Sequence, residues 1–190
     1  IVINNDTGSV NITLSNNSLF DNYEDAILIG LGVPFGDPMV NLTIEGNTIE
    51  NNGGTNPTRG DGIGIGLEGN TIIENLTISG NIIINNGDEG IDIRLASLTF
   101  PFIPNSTAII QEAIIANNTI ENNFQQGINL ELFDNTQVWT NILSNIFMNV
   151  STDIVVESSN NSGICVYLSE NSNTATLDLN GITPNNFPCF

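Results

Sequence analysis

Apolar and polar residues alternate along this chain in short bursts, and the bursts recur. One phrase runs Asn41-Leu-Thr-Ile-Glu-Gly-Asn-Thr-Ile-Glu-Asn-Asn52 and returns as Asn75-Leu-Thr-Ile-Ser-Gly-Asn-Ile-Ile-Ile-Asn-Asn86. Weaker copies start at Asn11, Ala113 and Asn141. Each is followed by a second phrase: Ala26-Ile-Leu-Ile29, Gly62-Ile-Gly-Ile65, Gly90-Ile-Asp-Ile93, Gly127-Ile-Asn-Leu130 and Asp153-Ile-Val-Val156. A period of two marks strands rather than helices. Ile, which dominates the apolar positions, suits strands.

Aligning the copies gives columns. Leu14, Ile44, Ile78, Ile115 and Ile142 form one apolar column; Leu19, Ile49, Ile83, Ile120 and Phe147 form another. Ile27, Ile63, Ile91, Ile128 and Ile154 form a third, in the second phrase. Between them run Asn17, Asn47, Asn81, Asn118 and Asn145, then Asp21, Asn51, Asn85, Asn122 and Asn149. A unit of roughly 25–40 residues buries its apolar face only against neighbouring units, which makes a solenoid. The pattern predicts three short strands per unit, with coils stacked about 4.8 Å apart. Asn belongs at the corners. Its amide both donates and accepts along a stack, and it tolerates left-handed backbone.

The Asn-x-Ile-x-x-Asn phrase followed by Gly-Ile-x-Ile resembles the repeats of the pectate-lyase-like superfamily. The likeness spans about residues 10 to 158. It implies an all-β, right-handed parallel β-helix of about five to six coils. Coils are expected over 1–158, and an irregular coil and closing flap over 159–190. The superfamily holds polysaccharide lyases, glycoside hydrolases, tailspikes and non-enzymatic surface proteins, so the fold does not choose an activity.

Charge narrows the partners. The 190 residues carry a formal net charge of −19, with two Arg, no Lys and no His. Nucleic acid is a poor partner for such a surface, and so are anionic membranes. No apolar run approaches the ~18 residues of a spanning helix. Divalent cations and neutral or cationic surfaces remain. Without His, Ser-His and Cys-His catalysis are excluded.

Four features carry candidate chemistry. Asp25, Asp61 and Glu89 each precede a second-phrase strand and stack at one corner, as a Ca²⁺ site or as three solvated acids. Arg94 follows Asp92 by two residues, so the two share an outward face. The resemblance to lyases makes Arg94 a candidate base, with Ca²⁺ ligands from Asp61, Asp88, Glu89 and Asp92. The reading set beside it is an ion pair in an acidic protein. Phe35, Phe100, Phe102, Phe133 and Trp139 are expected on loops along one edge, as a contact for another chain or for sugar rings, or folded back as cover. Cys165 and Cys189 are expected to form a disulfide, the alternative being two buried thiols, and Asn105 and Asn160 are loop sequons. These point to a secreted or cell-surface protein.

Ile1-Val-Ile3 reads as the last strand of a preceding coil, as in a mature or excised piece of a longer precursor. An open coil is a sheet edge that invites another chain. The expected function is a non-catalytic extracellular module, structural or adhesive, self-assembling end to end into a fibre. The alternatives are a polysaccharide lyase or glycoside hydrolase, or a carbohydrate-binding module.

Overall fold

The computed structural model describes residues 1–5, 8–32, 38–54, 60–96, 107–133, 135–158, 162–172 and 177–180. The chain winds as a parallel β-solenoid. The first coil holds β1 (Val2–Asn5), β2 (Ser9–Ser15) and β3 (Ser18–Phe20). The second holds β4 (Ile27–Leu31), β5 (Met39–Glu45) and β6 (Thr48–Glu50). The third holds β7 (Ile63–Glu68), β8 (Ile72–Ser79) and β9 (Ile82–Ile84). The fourth holds β10 (Ile91–Ala96), β11 (Ile109–Ala116) and β12 (Thr119–Glu121). The fifth holds β13 (Gln126–Leu132), β14 (Gln137–Leu143) and β15 (Ile146–Met148). Above them lie β16 (Thr152–Ser158), β17 (Gly163–Ser169) and β18 (Leu177–Asn180).

Strands of one kind stack into three parallel sheets. Sheet A runs β1-β4-β7-β10-β13-β16-β18, sheet B runs β2-β5-β8-β11-β14-β17, and sheet C runs β3-β6-β9-β12-β15. The apolar columns of the sequence are the register itself. Leu14 pairs with Ile44 and Ile44 with Ile78. Leu19 pairs with Ile49 and Ile49 with Ile83. All three columns point inward, and Ile44, Ile49, Ile63, Ile78, Ile83 and Ile91 are fully buried. Stacking continues past residue 158: β17 lies on β14, and β18 on β16.

Two Asn ladders line the corners inside the coil. Asn81 Oδ1 accepts from the Asn47 N–H and from Asn47 Nδ2, both at 2.9 Å. Asn81 Nδ2 donates to Ile44 O at 2.9 Å and to Asn118 Oδ1 at 3.0 Å. The same unit repeats from Asn17 to Asn171. A second ladder joins Asn22, Asn52, Asn86 and Asn123. Asp21, Asn51, Asn85, Asn122 and Asn149 do not form this ladder; they turn the corner just before it, with φ between 52° and 58°.

Candidate functional site

The acidic column stacks as its positions require. The Ala26 N–H donates to Asp61 O at 3.1 Å, and the Gly62 N–H to Glu89 O at 3.0 Å. The corner entering sheet A therefore presents Asp25, Asp61 and Glu89 on successive coils. Each carboxylate also reaches the next backbone. Asp25 Oδ1 accepts from the Asp61 N–H at 2.9 Å, and Asp61 Oδ1 accepts from the Glu89 N–H at 3.3 Å. The tightest cluster is Asp61, Asp88 and Glu89, with one oxygen from each within 4.8 Å of the others. Asp88 belongs to the corner because the chain bends at 87–90, which turns two adjacent acidic side chains to the same place. Asp88 is not in the three-residue corner expected from the columns, but it is in the ligand set that the resemblance to lyases implies. One coil further on the corner becomes neutral: the Gln125 side chain donates to Asp88, and Gln126 takes the place of Glu89 in the stack.

This crowding holds protons. Burial, helped by Asp92, Asp25 and Glu89, pushes the Asp61 carboxyl up to about 9. Burial and Asp88 raise Glu89 to about 7, against the opposing effect of its hydrogen bond with Asp61. Burial raises Asp92 to about 6, against the pull of Arg94. Asp25 is raised by burial as well. Asp61 therefore favours its neutral form beside Glu89. A divalent cation would replace that proton. Carboxylate oxygens are the ligands Ca²⁺ takes, and two of them converge over Gly64, where an added Cβ would sit a crowded 3.3 Å from both Asp25 Oδ2 and Asp61 Oδ2. The donor set fits a hard cation.

Beside the corner, the outward face of β10 carries Asp92 and Arg94. Arg94 Nε donates to Glu131 Oε2 at 2.6 Å, and its Nη2 lies 4.0 Å from Asp92 Oδ2. Asn129 Nδ2 donates to Asp92 Oδ1 at 3.0 Å. Arg94 is thus engaged by its own sheet.

The other expected site residues separate. Trp139, expected on an edge loop, lies within β14 on the open face of sheet B, because β14 starts only five residues after β13 ends. Phe133 is exposed where the chain leaves β13. Phe35, Phe100, Phe102, Asn105 and Asn160 fall outside the described residues. Cys165 sits on β17 in register with Trp139, and Cys189 lies outside the described residues.

Residues 2–107 match the family model for the right-handed β-helix region. The chain belongs to the right-handed β-helix family. This agrees with the expected superfamily and with the three-sheet solenoid. No curated protein and no solved structure matches this β-helix significantly.

Proposed function

We propose that this β-helix is a non-catalytic structural or adhesive module of a secreted or cell-surface protein, extended by stacking of coils and stiffened by Ca²⁺ at its acidic corner. The observation that carries the reading is the outermost coil. Val10, Ile12, Leu14 and Leu19 point into the core but are only partly buried, whereas their partners Val40, Leu42, Ile44 and Ile49 are almost wholly so. A further coil, from the same polypeptide or from a second copy, would complete their burial. At high concentration with Ca²⁺, sedimentation and electron microscopy should show end-to-end oligomers; a strict monomer under those conditions refutes the assembly.

Net charge opposes stacking, and cation binding at the corner relieves part of that repulsion. Calorimetry should show Ca²⁺ binding, lost in an Asp61→Asn, Glu89→Gln double variant. The proposed Cys165–Cys189 disulfide suits an oxidising compartment. It predicts that neither cysteine is alkylated before reduction.

A second reading has one specific observation behind it. Asp61, Asp92 and Arg94 cluster on one face with unequal proton affinities, a condition for acid–base work on a glycoside. Release of reducing ends from a polysaccharide, abolished by Asp61→Asn, would replace the structural reading with this one.

A further inference from the structure

We infer that Asn52-Gly53 is a self-modifying site held shut by the first coil: when that coil lifts, Asn52 deamidates and the stack cannot close again as before. The site depends on neither the acidic corner nor contact between copies.

The chain has three Asn-Gly steps, at Asn52, Asn86 and Asn180. Gly181 lies outside the described residues. The other two steps start from consecutive rungs of the second Asn ladder. Asparagine before glycine is the most labile, because no side chain hinders attack by the glycine nitrogen. The Gly53 nitrogen loses its proton to solvent and bonds to Asn52 Cγ. The Cγ–Nδ2 bond breaks, and the nitrogen takes up a proton and leaves as ammonia. Water then adds to either carbonyl of the succinimide and breaks its bond to the ring nitrogen, which leaves aspartate or isoaspartate.

The folded chain blocks both reacting groups. The Gly53 N–H donates to Asn22 O at 2.9 Å, and the Gly87 N–H to Asn52 O at 2.8 Å. Asn52 Oδ1 accepts from the Asn22 N–H at 3.1 Å and from Asn22 Nδ2 at 2.6 Å. Asn52 Nδ2 donates to Leu19 O at 3.4 Å and to Asn86 Oδ1 at 2.9 Å. Asn86 is held between Asn52 and Asn123 in the same way. Each amide is fixed in the ladder, and each glycine nitrogen is occupied by the preceding coil. They meet only when that coil moves.

The two guards are unequal. Asn52 is shut in by Leu19 and Asn22 of the first coil, whose Val10, Ile12, Leu14 and Leu19 are only partly buried. Asn86 is shut in by the second coil, whose Val40, Leu42, Ile44 and Ile49 are almost wholly buried. The coil with less buried apolar surface opens more often. Static exposure predicts the reverse order, since Gly87 is half-buried and Gly53 is buried. The product makes the opening permanent. An aspartate in place of Asn52 lacks the amide donors that meet Leu19 O and Asn86 Oδ1. An isoaspartyl link also lengthens the backbone at the corner.

The full chain should be held at neutral pH for days, dilute enough that copies do not stack, in native buffer and in urea. Acid stops the reaction. Glu50, Glu68, Glu74 and Glu89 let a glutamate-specific protease place the two sites on separate peptides. Mass spectrometry then reads amide-to-acid conversion and the isoaspartyl share. In urea the two sites should convert at similar rates. In the folded chain Asn52 should convert at least about tenfold more slowly than in urea, and Asn86 at least about tenfold more slowly again. Leu19→Ala thins the first coil's contact with the core, so it should speed Asn52 and leave Asn86 unchanged. Should that variant unfold altogether, both sites would rise together, and the order in the parent still decides. Conversion of folded Asn52 at its rate in urea overturns the inference. So does conversion of Asn86 before Asn52, or equal protection of the two, complete protection included.

Discussion

Asn81 makes four hydrogen bonds inside the coil, two through each end of its amide. Asn51 is no less regular a part of the repeat but serves only to turn the chain, at φ 58°. The two positions should respond differently to the same change. Asn81→Ala strands the donors of Asn47 and the carbonyl of Ile44 in a buried place, and should cost about 3 kcal/mol or more. Asn51→Ala meets only the left-handed backbone penalty of about 1 kcal/mol, and Asn51→Gly should be near neutral. Urea denaturation of the three variants checks the contrast. The first ladder was legible, because its column aligned. The second was not, because Asn51 and Asn52 are adjacent and identical, and only the corner's geometry decides which one enters the stack.

Asp61 offers a second test at this scale. Its carboxyl is raised to about 9, so the folded protein holds that proton more tightly than the unfolded chain, whose carboxylates titrate near ~4. The stability this confers is complete below the unfolded value and is lost as pH rises toward about 9. Melting temperature without Ca²⁺ should therefore fall between acid and mildly alkaline pH. Asp61→Asn removes the charge at nearly constant shape. It should flatten that slope and raise the alkaline melting temperature by about 3 °C or more, while weakening Ca²⁺. A variant with the parent's slope would show that the corner does not crowd its protons as described.

At the scale of the element, the Gly of the Gly-Ile-x-Ile phrase needs a reason, since a strand gains nothing from glycine. The reason is close approach. A Cβ on Gly90 would lie 2.7 Å from both Gly127 O and Ile120 Cγ2, and one on Gly127 would lie 2.6 Å from Asp153 O and Phe147 Cδ1. The corner threads between the next coil's backbone and sheet C. Ala26 shows that one methyl group can be accommodated at the equivalent place in the second coil, fully buried. Gly90→Ala should thus cost about 1–2 kcal/mol and Gly90→Val about 3 kcal/mol, measured by thermal unfolding. The strands themselves were readable from the period of two. The period of two also marks strands over 164–168 and 175–179, but that these continue the stack, with Asn171 joining the ladder, was not readable. The spacing there shifts and the Asn-Asn doublet is gone, so the columns lose their register in the sequence although the backbone keeps it.

For the whole molecule, the ladders have a direction. Each Asn donates its N–H and its amide toward the following coil's Oδ1. A coil arriving on the β1-β2-β3 side must therefore bring donors to Asn17 and Asn22, as the far side of another β-helix coil does. Two copies meeting by their like ends would set acceptor against acceptor. Growth should be head to tail, the geometry that gives open filaments rather than closed dimers. Ile12 lies at the centre of this face, in register with the buried Leu42. Ile12→Lys places a charge in that contact and should abolish association. It should also lower the monomer's melting temperature, though by less than Leu42→Lys, because Ile12 packs against the core but is only partly buried there. Salt or Ca²⁺ should promote association of the parent by screening its charge of −19, and neither should rescue the variant. Sedimentation velocity across a concentration series separates these outcomes. Particles that stop at two copies would mean that the ends pair like to like and that the ladder's direction does not govern the contact.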